Sequence, residues 1–324
     1  MKRIILRYGY WCTCLFILLI GCDKDEKDVY ATKEDSIDWY AVPDLVGEFN
    51  EIRYDIYKAS DITVVVQDTL GSVQIGTDVY GSPIIHTEVF DLGYNVTGSL
   101  LRDFKIVRSK DTSAMIKGMQ VIQKHVLPYL PANRENRPRV IFMLDSVYYV
   151  NPGNANQMGD RLIYNNCIAG VGIGHIDRLK TFDVDSEEWR YWAANILAWK
   201  TASWISDHCL VNYQSFVDLT PTYGFNNQSY YHYTGPKGRV DCRNASFLKW
   251  GKCYHDIIVQ PNNWTEAGPT QKEDLQEYVA HIYQYRGREE IFEANYNAYP
   301  IILQKFKLAR KMVEEYFEQH GMQL

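Results

Sequence analysis

Two histidines and one glutamate are this chain's candidate metal ligands, because imidazole and carboxylate groups bind zinc. His175 closes a glycine-rich strand, His208 lies near the end of a long predicted helix, and Glu277 lies on a later helix. A zinc ion held by such groups activates water for hydrolysis. Their spacing matches no ligand motif, and the chain contains no His-Glu-x-x-His. The three are therefore weak metal candidates, since lone histidines more often form ordinary hydrogen bonds.

Other catalytic signatures do not occur in the sequence. It has no Gly-x-Ser-x-Gly nucleophile elbow. The glycine run from Gly170 to Gly174 lacks the spacing of a dinucleotide-binding loop. A glycosidase carboxylate pair cannot be recognised among 40 acidic residues. Motifs alone therefore assign no catalytic residue.

Three strands and five helices, the last two a pair separated at Pro300, must position the candidate side chains. The strands are predicted from β-branched and apolar runs at residues 61–68, 139–144 and 167–176. In the third, the glycines predict close approach of another backbone. A capping box of Asp185 and Glu188 predicts a helix through about Asp207. Apolar periodicity and capping residues predict the other helices at residues 112–129, from Thr270 to about 285, and at 289–319 with a break at Pro300.

Residues 210–268 read as a long loop region, poor in helical periodicity and rich in aromatic residues. Tyrosine and tryptophan combine apolar area with a polar tip, which suits surfaces that bind sugars or proteins. Long irregular segments are also more often functional than not. The binding candidates here are Tyr223, Phe225, Tyr230, Tyr231, Tyr233, Trp250 and Trp264.

Charge and cysteine content narrow the classes of partner. The net charge is −6 and the mature chain has no basic cluster, which disfavours nucleic acid. Four of the seven cysteines lie beyond residue 22, so two disulfides with three pairings are open outside the cytoplasm. Cys242 and Cys253 form the simplest predicted pair. No Cys-x-x-Cys occurs among the four, so a cysteine zinc site is not expected.

The N-terminus has the pattern of a secretory leader. Three basic residues precede an apolar run from Tyr10 to Ile20, which is too short to span a bilayer. Leu19-Ile20-Gly21-Cys22 resembles the lipobox of bacterial lipoproteins, which implies a signal peptide over 1–21 and an acylated Cys22. Residues 22–35, with six consecutive charges, predict a solvated tether. This run also resembles an export signal of surface lipoproteins, so we expect lipid anchoring at the outer membrane, facing outside.

Three segments carry a resemblance to one family. Pro269–Tyr278 resembles that family's Asn-Glu-Asp-Phe-x-Glu helix, Ile302–Phe317 its closing helix, and Leu127-Pro128-Tyr129 the stretch before its core strand. This is the zinc-binding metallopeptidase family of surface lipoproteins, also described as substrate-import-associated zinc metallohydrolase lipoproteins. The resemblance implies an α+β, zincin-like fold with a small mixed sheet, a long active-site helix and C-terminal helices. We expect an N-terminal sub-domain over 36–130 and a core domain over 131–324.

The chain departs from this family at the active-site helix. The best register for His-Glu-x-x-His is Lys200-Thr201-Ala202-Ser203-Trp204. A protonated lysine has no lone pair for zinc, threonine is no general base at neutral pH, and tryptophan offers only a donor. Trp204 could instead fill the position of the missing metal. No catalytic residue and no bound zinc are therefore expected, although Glu277 matches the position of the family's acidic ligand.

Three functions remain open at this point. The resemblance favours an inactive accessory subunit that binds a glycan or peptide, or acts as a scaffold, beside a TonB-dependent importer and its lid lipoprotein. An active zinc metallohydrolase with non-standard ligands is the first alternative, and the Lys200–Trp204 stretch argues against it. A purely structural subunit of the importer is the second. No sequence feature separates the accessory binding role from the structural one.

Overall fold

The computed structural model describes residues 36–93, 104–151, 154–162, 164–223, 228–232, 234–236, 242–248, 265–267 and 269–324. The predicted leader, the charged tether and Cys22 lie outside these residues, as do Phe225, Tyr233, Trp250, Cys253 and Trp264. No helix within the described ranges combines the length and the apolar composition that crossing a membrane requires.

The described chain is mixed α+β. Its strands are β1 (Thr63–Val65), β2 (Thr69–Thr77), β3 (Pro83–Val89), β4 (Phe104–Arg108), β5 (Val140–Asn151), β6 (Asn154–Leu162), β7 (Tyr164–Asn166), β8 (Gly170–Ile173), β9 (Thr222–Tyr223), β10 (Gln228–Ser229), β11 (Thr234–Pro236) and β12 (Thr265–Ala267). Its helices are α1 (Glu48–Ser60), α2 (Thr112–His125), α3 (Ile176–Leu179), α4 (Glu187–His208), α5 (Leu210–Asp218), α6 (Gln271–Gln284), α7 (Glu289–Asn295) and α8 (Pro300–Gln319).

Contacts divide the described chain into two units. The smaller comprises residues 36–39 and 71–88, in which β2 and β3 form a two-stranded sheet and the ring of Trp39 lies 5.7 Å from that of His86. The larger holds the main sheet and all eight helices named above. The predicted division at residue 130 falls inside the larger unit, because β1 is hydrogen-bonded to β5 across that boundary.

Strand β5 is the centre of the main mixed sheet. Its first half pairs in parallel with β1 and β8, and its second half pairs antiparallel with β4 and β6. Successive side chains of a strand point to opposite faces. Ile141 and Met143 therefore enter the large core that the helices cover, while Val140, Phe142 and Leu144 pack on the other face. The predicted buried strand at 139–144 is confirmed.

The glycines of β8 allow close packing against β5. A Cβ atom at Gly170 would lie 1.9 Å from the carbonyl oxygen of Val140, and one at Gly172 would lie 2.5 Å from a methyl carbon of Leu92. The backbone of Val140 leaves no space for a side chain at residue 170, whereas a side chain at residue 172 would require Leu92 to move. The prediction that glycine here marks the approach of another backbone is confirmed at Gly170.

The start of the long helix α4 differs from its prediction. The hydroxyl of Ser186 accepts a hydrogen bond from the Trp189 N–H at 3.3 Å and caps the helix. Asp185 instead forms an ion pair with Lys124 at 2.6 Å. The predicted capping box of Asp185 and Glu188 is wrong by one residue at the cap, because Asp185 has a stronger partner in the neighbouring helix α2.

The later helices follow their sequence signals more closely. Helix α6 begins just after Thr270, as predicted, and Thr270 forms a capping box there with Glu273. The predicted interruption at Pro300 is the start of α8, whose first turn Pro300 occupies. The region from residue 210 is not irregular throughout, because α5 occupies its first nine residues. Phe216 and Val217 anchor this short helix in the core, and tertiary packing of this kind overrides a weak periodicity.

Cysteines beyond the leader are buried where the structure describes them. Cys167, Cys209 and Cys242 are each at most 7% exposed, and Cys209 donates a hydrogen bond to Glu315 at 3.3 Å. Because Cys253 lies outside the described residues, the Cys242–Cys253 disulfide remains a prediction.

A buried ion pair joins the two longest C-terminal helices. Lys305 of α8 lies 2.5 Å from the Oδ2 atom of Asp274 on α6, and their side chains are 0% and 1% exposed. The ammonium also lies 2.9 Å from the Thr220 hydroxyl, 3.1 Å from the Tyr231 hydroxyl and 3.2 Å from the Ser246 hydroxyl. Since an ammonium has three protons, at least one proton is shared among these four oxygens.

Aromatic rings enclose the same ammonium. Its nitrogen lies 4.5 Å from the ring centroid of Phe216 and 5.3 to 5.5 Å from those of Tyr231, Phe247 and Tyr278. Burial lowers the pKa of Lys305 and raises the pKa of Asp274, while their mutual attraction opposes both shifts. Cation–π contacts and hydrogen bonds together offset the loss of hydration.

We expect Lys305→Met to lower the free energy of unfolding by about 3–5 kcal/mol, because it leaves the Asp274 carboxylate buried without its partner. The double variant Lys305→Met/Asp274→Leu should recover most of this loss, since no charge then remains in the core. Urea denaturation followed by circular dichroism measures both. Lys124→Met is the control, because Lys124 is 53% exposed and its pair should contribute at most about 1 kcal/mol. Equal losses of unfolding free energy in Lys305→Met and Lys124→Met would contradict the burial of the Lys305–Asp274 ion pair.

Candidate functional site

A hydrogen bond between Tyr191 and Glu277 joins the long helix α4 to helix α6 in the protein interior. Tyr191 lies in the second turn of α4 and donates its hydroxyl proton to Oε1 of Glu277 on α6. Glu277 is 3% exposed. Burial, with the neighbouring carboxylate as the second cause, raises the pKa of Tyr191 well above its usual value. The phenol therefore stays protonated and acts as a hydrogen-bond donor.

His281 extends this contact on the α6 side. Its Nδ1 atom lies 3.4 Å from the same Glu277 oxygen, one helical turn away, and its ring centroid lies 5.2 Å from that of Tyr191. Almost the whole of α6 is buried, which explains why polar residues at its middle meet partners from other helices rather than water. Tyr191, Glu277 and His281 form one polar cluster, called here the tyrosine–glutamate cluster.

Asn195 adds a second α4 residue to this cluster. It follows Tyr191 by four positions, so the two side chains lie on the same helix face. Its amide donates to the Tyr191 carbonyl at 2.7 Å, and its side chain lowers the pKa of the phenol against the larger, opposite effect of burial. Asn195 is 0% exposed. Tyr191 and Asn195 are thus an i, i+4 pair on a long helix, and Tyr191 meets an acid from a second helix.

A cavity of about 250 Å³ lies beside the cluster. It is bounded by the end of β8, by α3 and by the first turns of α4, and most of its lining is apolar. Trp192 forms one wall and is held by a hydrogen bond from its indole nitrogen to the Gly174 carbonyl at 2.9 Å. Tyr191 forms part of the same lining, which places one member of the cluster in contact with the cavity.

His175 lines the cavity from a strained backbone position. Its φ angle is 72°, a left-handed conformation that residues other than glycine rarely adopt. The residue is 4% exposed, it precedes the first turn of α3, and its N–H donates to the Asp145 carbonyl at 3.0 Å. Strain of this kind collects at functional sites. It supports a functional interpretation of the cavity.

The segment from Lys200 to Trp204 lies elsewhere on α4. The Thr201 hydroxyl hydrogen-bonds Tyr283 at 2.9 Å in the core. Trp204 stacks on His208 with the ring centroids 4.6 Å apart and meets the ring of Tyr316 edge-on. Burial lowers the pKa of Lys200, whose ammonium lies 4.7 Å from the Trp199 ring centroid. None of these side chains lines the cavity.

The three metal candidates do not meet. His175 lines the cavity, Glu277 lies in the tyrosine–glutamate cluster, and the Nδ1 atom of His208 is 2.8 Å from the Trp204 carbonyl near the end of α4. Among the residues with described positions, no three His, Cys, Asp or Glu side chains form a group that could hold a metal ion.

The aromatic binding candidates that the structure describes differ in how deeply they are buried. Tyr231 is 9% exposed and donates to Asp274 at 2.7 Å, so it belongs to the core rather than to a contact surface. Tyr230 is half-buried and packs against the same core. Tyr223 lies in β9, which pairs with β10. The other aromatic candidates lie outside the described residues.

Neither α4 segment fits the zinc that the family resemblance implies. Structural and catalytic zinc sites use thiolate, imidazole and carboxylate ligands. The cluster offers one carboxylate and one imidazole beside a protonated phenol and an amide, which is fewer ligands than zinc sites use, and the Lys200–Trp204 segment offers no thiolate, imidazole or carboxylate. Tyr191 and Asn195 are not recognisable as a site from sequence, because neither residue type is a usual zinc ligand. The usable signal was one polar residue, Asn195, within the otherwise apolar run from Trp192 to Trp199.

We expect His175→Gly to leave the protein more stable than His175→Ala by about 1 kcal/mol, because only glycine adopts the left-handed conformation without cost. Both variants remove the same imidazole, so the difference isolates the backbone. Urea denaturation of the two proteins measures it. An alanine variant as stable as the glycine variant would show that residue 175 does not keep the left-handed conformation.

Comparison with protein-family models, with curated proteins and with solved structures finds no match for this chain. Its function is therefore inferred from the tyrosine–glutamate cluster, the adjoining cavity and the sequence features of the N-terminus. The cluster and the cavity lie within the described residues, whereas the N-terminal features do not.

Proposed function

We propose that the larger unit has a zincin-like fold without its metal, and that the chain serves as a catalytically inactive, ligand-binding accessory subunit on the cell surface. The hydrogen bond between Tyr191 and Glu277 is the observation that carries this proposal. In zincins, a long helix presents two histidines at i and i+4, and a further ligand can come from another helix. Tyr191 and Asn195 hold the i and i+4 positions of the long helix here, and Tyr191 meets Glu277 of another helix.

The chemistry of these three residues supports an inactive site. A phenol whose pKa is raised by burial does not offer the anionic oxygen that a metal needs, and an amide is a weak ligand. The phenol instead donates directly to the carboxylate that would otherwise bind the ion. A hydrogen bond between two side chains of the same chain thus takes the place of bonds to a metal, and the helices remain joined without an ion.

The cavity favours a binding role over a purely structural one. A concave, mostly apolar site with a few polar groups is the usual form of a small-molecule site. The strained His175 in its wall adds a feature that a structural subunit has no need to retain. The second candidate function, a structural subunit with no ligand, leaves both features without a purpose.

The sequence supports the proposed cellular setting. The lipobox at Leu19–Cys22 and the charged run after it support a lipid-anchored protein on the outer face of the outer membrane. The family resemblance supports a TonB-dependent importer and its lid lipoprotein as partners. The cargo of such a system would be a glycan or a peptide.

Restoring histidines tests the register of the lost metal site. We expect the unchanged protein to retain no stoichiometric zinc after zinc loading and dialysis, and Tyr191→His/Asn195→His to retain about one ion per chain, because Glu277 then completes a two-histidine, one-carboxylate site. Elemental analysis gives the zinc content, and circular dichroism checks the fold. Lys200→His/Trp204→His is the matched control and should retain none. Zinc in the unchanged protein or only in the control would overturn the proposed metal-free site.

Co-purification tests the proposed partners. When the full-length, lipidated protein carries a C-terminal affinity tag in its native cells, detergent extraction should recover a TonB-dependent importer with it. Cys22→Ser should lose membrane attachment and with it this recovery, because acylation needs the thiol. Recovery of the tagged protein without any importer would contradict the accessory role.

A further inference from the structure

The cavity beside Tyr191 has the size of one apolar side chain. A cavity of about 150 Å³ lined by apolar groups is enough to bind benzene, and this one measures about 250 Å³. Phe182, Leu179 and the ring of Trp192 supply its apolar walls. A phenyl or branched aliphatic group therefore fits inside, with room left at the opening.

Two side chains of opposite charge also line this cavity. Arg178 extends from α3, and Glu188 from the first turn of α4. Within the described residues, neither forms an ion pair, whereas nearby charges such as Lys180 and Asp185 each have a partner. A guanidinium and a carboxylate in one cavity lining match a ligand that carries both a carboxylate and an ammonium group.

We propose that this cavity binds a free α-amino acid with an apolar side chain. Its side chain would enter the apolar part, its carboxylate would meet Arg178, and its ammonium would meet Glu188. This inference rests on the proposed binding role and names the ligand class of that role.

The lining disfavours a sugar in the same place. A sugar places hydroxyl groups on every side, and each one that is buried without a hydrogen-bond partner costs free energy. The cavity offers few polar atoms, which come from His175, Arg178, Glu188 and Tyr191. The Tyr191 hydroxyl is already engaged with Glu277. An apolar group asks for no such partners and gains from leaving water.

Isothermal titration calorimetry with a set of matched probes tests the proposal on the full chain. The reference probe is L-phenylalanine. Three analogues remove its charges: 3-phenylpropionate lacks the ammonium, phenethylamine lacks the carboxylate, and N-acetyl-L-phenylalanine amide lacks both. Glucose represents a sugar. We expect L-phenylalanine to bind most tightly, with each single-charge probe at least about tenfold weaker, because a hydrogen bond to a charged group contributes that much. Glucose should not bind.

Two charge variants should divide the probes. Arg178→Gln should weaken L-phenylalanine and 3-phenylpropionate by about tenfold and leave phenethylamine unchanged. Glu188→Gln should weaken L-phenylalanine and phenethylamine and leave 3-phenylpropionate unchanged. Leu179→Trp should abolish all binding by filling the cavity. Lys180→Gln, which removes a nearby charge that does not line the cavity, is the control and should change nothing.

Several outcomes would overturn the amino-acid proposal. Binding of the uncharged amide as tightly as L-phenylalanine would exclude a role for the two charges, and binding of glucose alone would exclude the apolar ligand. Either result leaves the proposed binding role in place. Binding that is unaffected by Leu179→Trp would show that the ligand does not bind in this cavity. The zinc and co-purification experiments decide the metal-free site and the partners independently of these titrations.

Discussion

The buried ion pair between Lys305 and Asp274 is the interaction on which the C-terminal half of this protein depends. Two charges removed from water are stable only when nearly all their hydrogen bonds are replaced. Here the replacement comes from separate chain segments, since Thr220, Tyr231 and Ser246 all contribute oxygens to the ammonium. The pair therefore joins α6 and α8 and also fixes the segments between α5 and α6 that supply these hydroxyls.

The same ion pair positions the candidate site. Asp274 and Glu277 are three residues apart on α6, so the contact that fixes the first limits the rotation of the helix and thereby the direction of the second. Glu277 then meets Tyr191, and the helix that carries Tyr191 also carries Trp192 in the cavity wall. Two buried acids on one helix thus have different roles, because one faces an ammonium and the other a phenol.

Much of this arrangement could be read from local sequence. Thr270 with Glu273, the proline that begins α8 and the glycines of β8 act through backbone geometry, which depends on near neighbours. The cap at Ser186 was mispredicted because Asp185 is drawn to Lys124, a residue 61 positions away. The burial of Lys305 was likewise unpredictable, since a lysine on an amphipathic helix ordinarily faces solvent. The position of Tyr191 and Asn195 at a candidate site could not be predicted from local sequence, because it depends on the packing of α6 against α4.

The proposed metal-free site limits which side chains could take the place of a metal ion. Interiors are close-packed, and a void where an ion and its ligands would lie costs stability in proportion to its volume. In the proposed metal-free site, Tyr191 would occupy part of that space, and since its hydroxyl donates to Glu277, one residue would supply both the volume and the hydrogen bond. Its ring also lines the cavity. A ligand seated in the cavity would therefore rest on the same side chain that joins the two helices, and the cavity wall would be as rigid as the packed helices behind it.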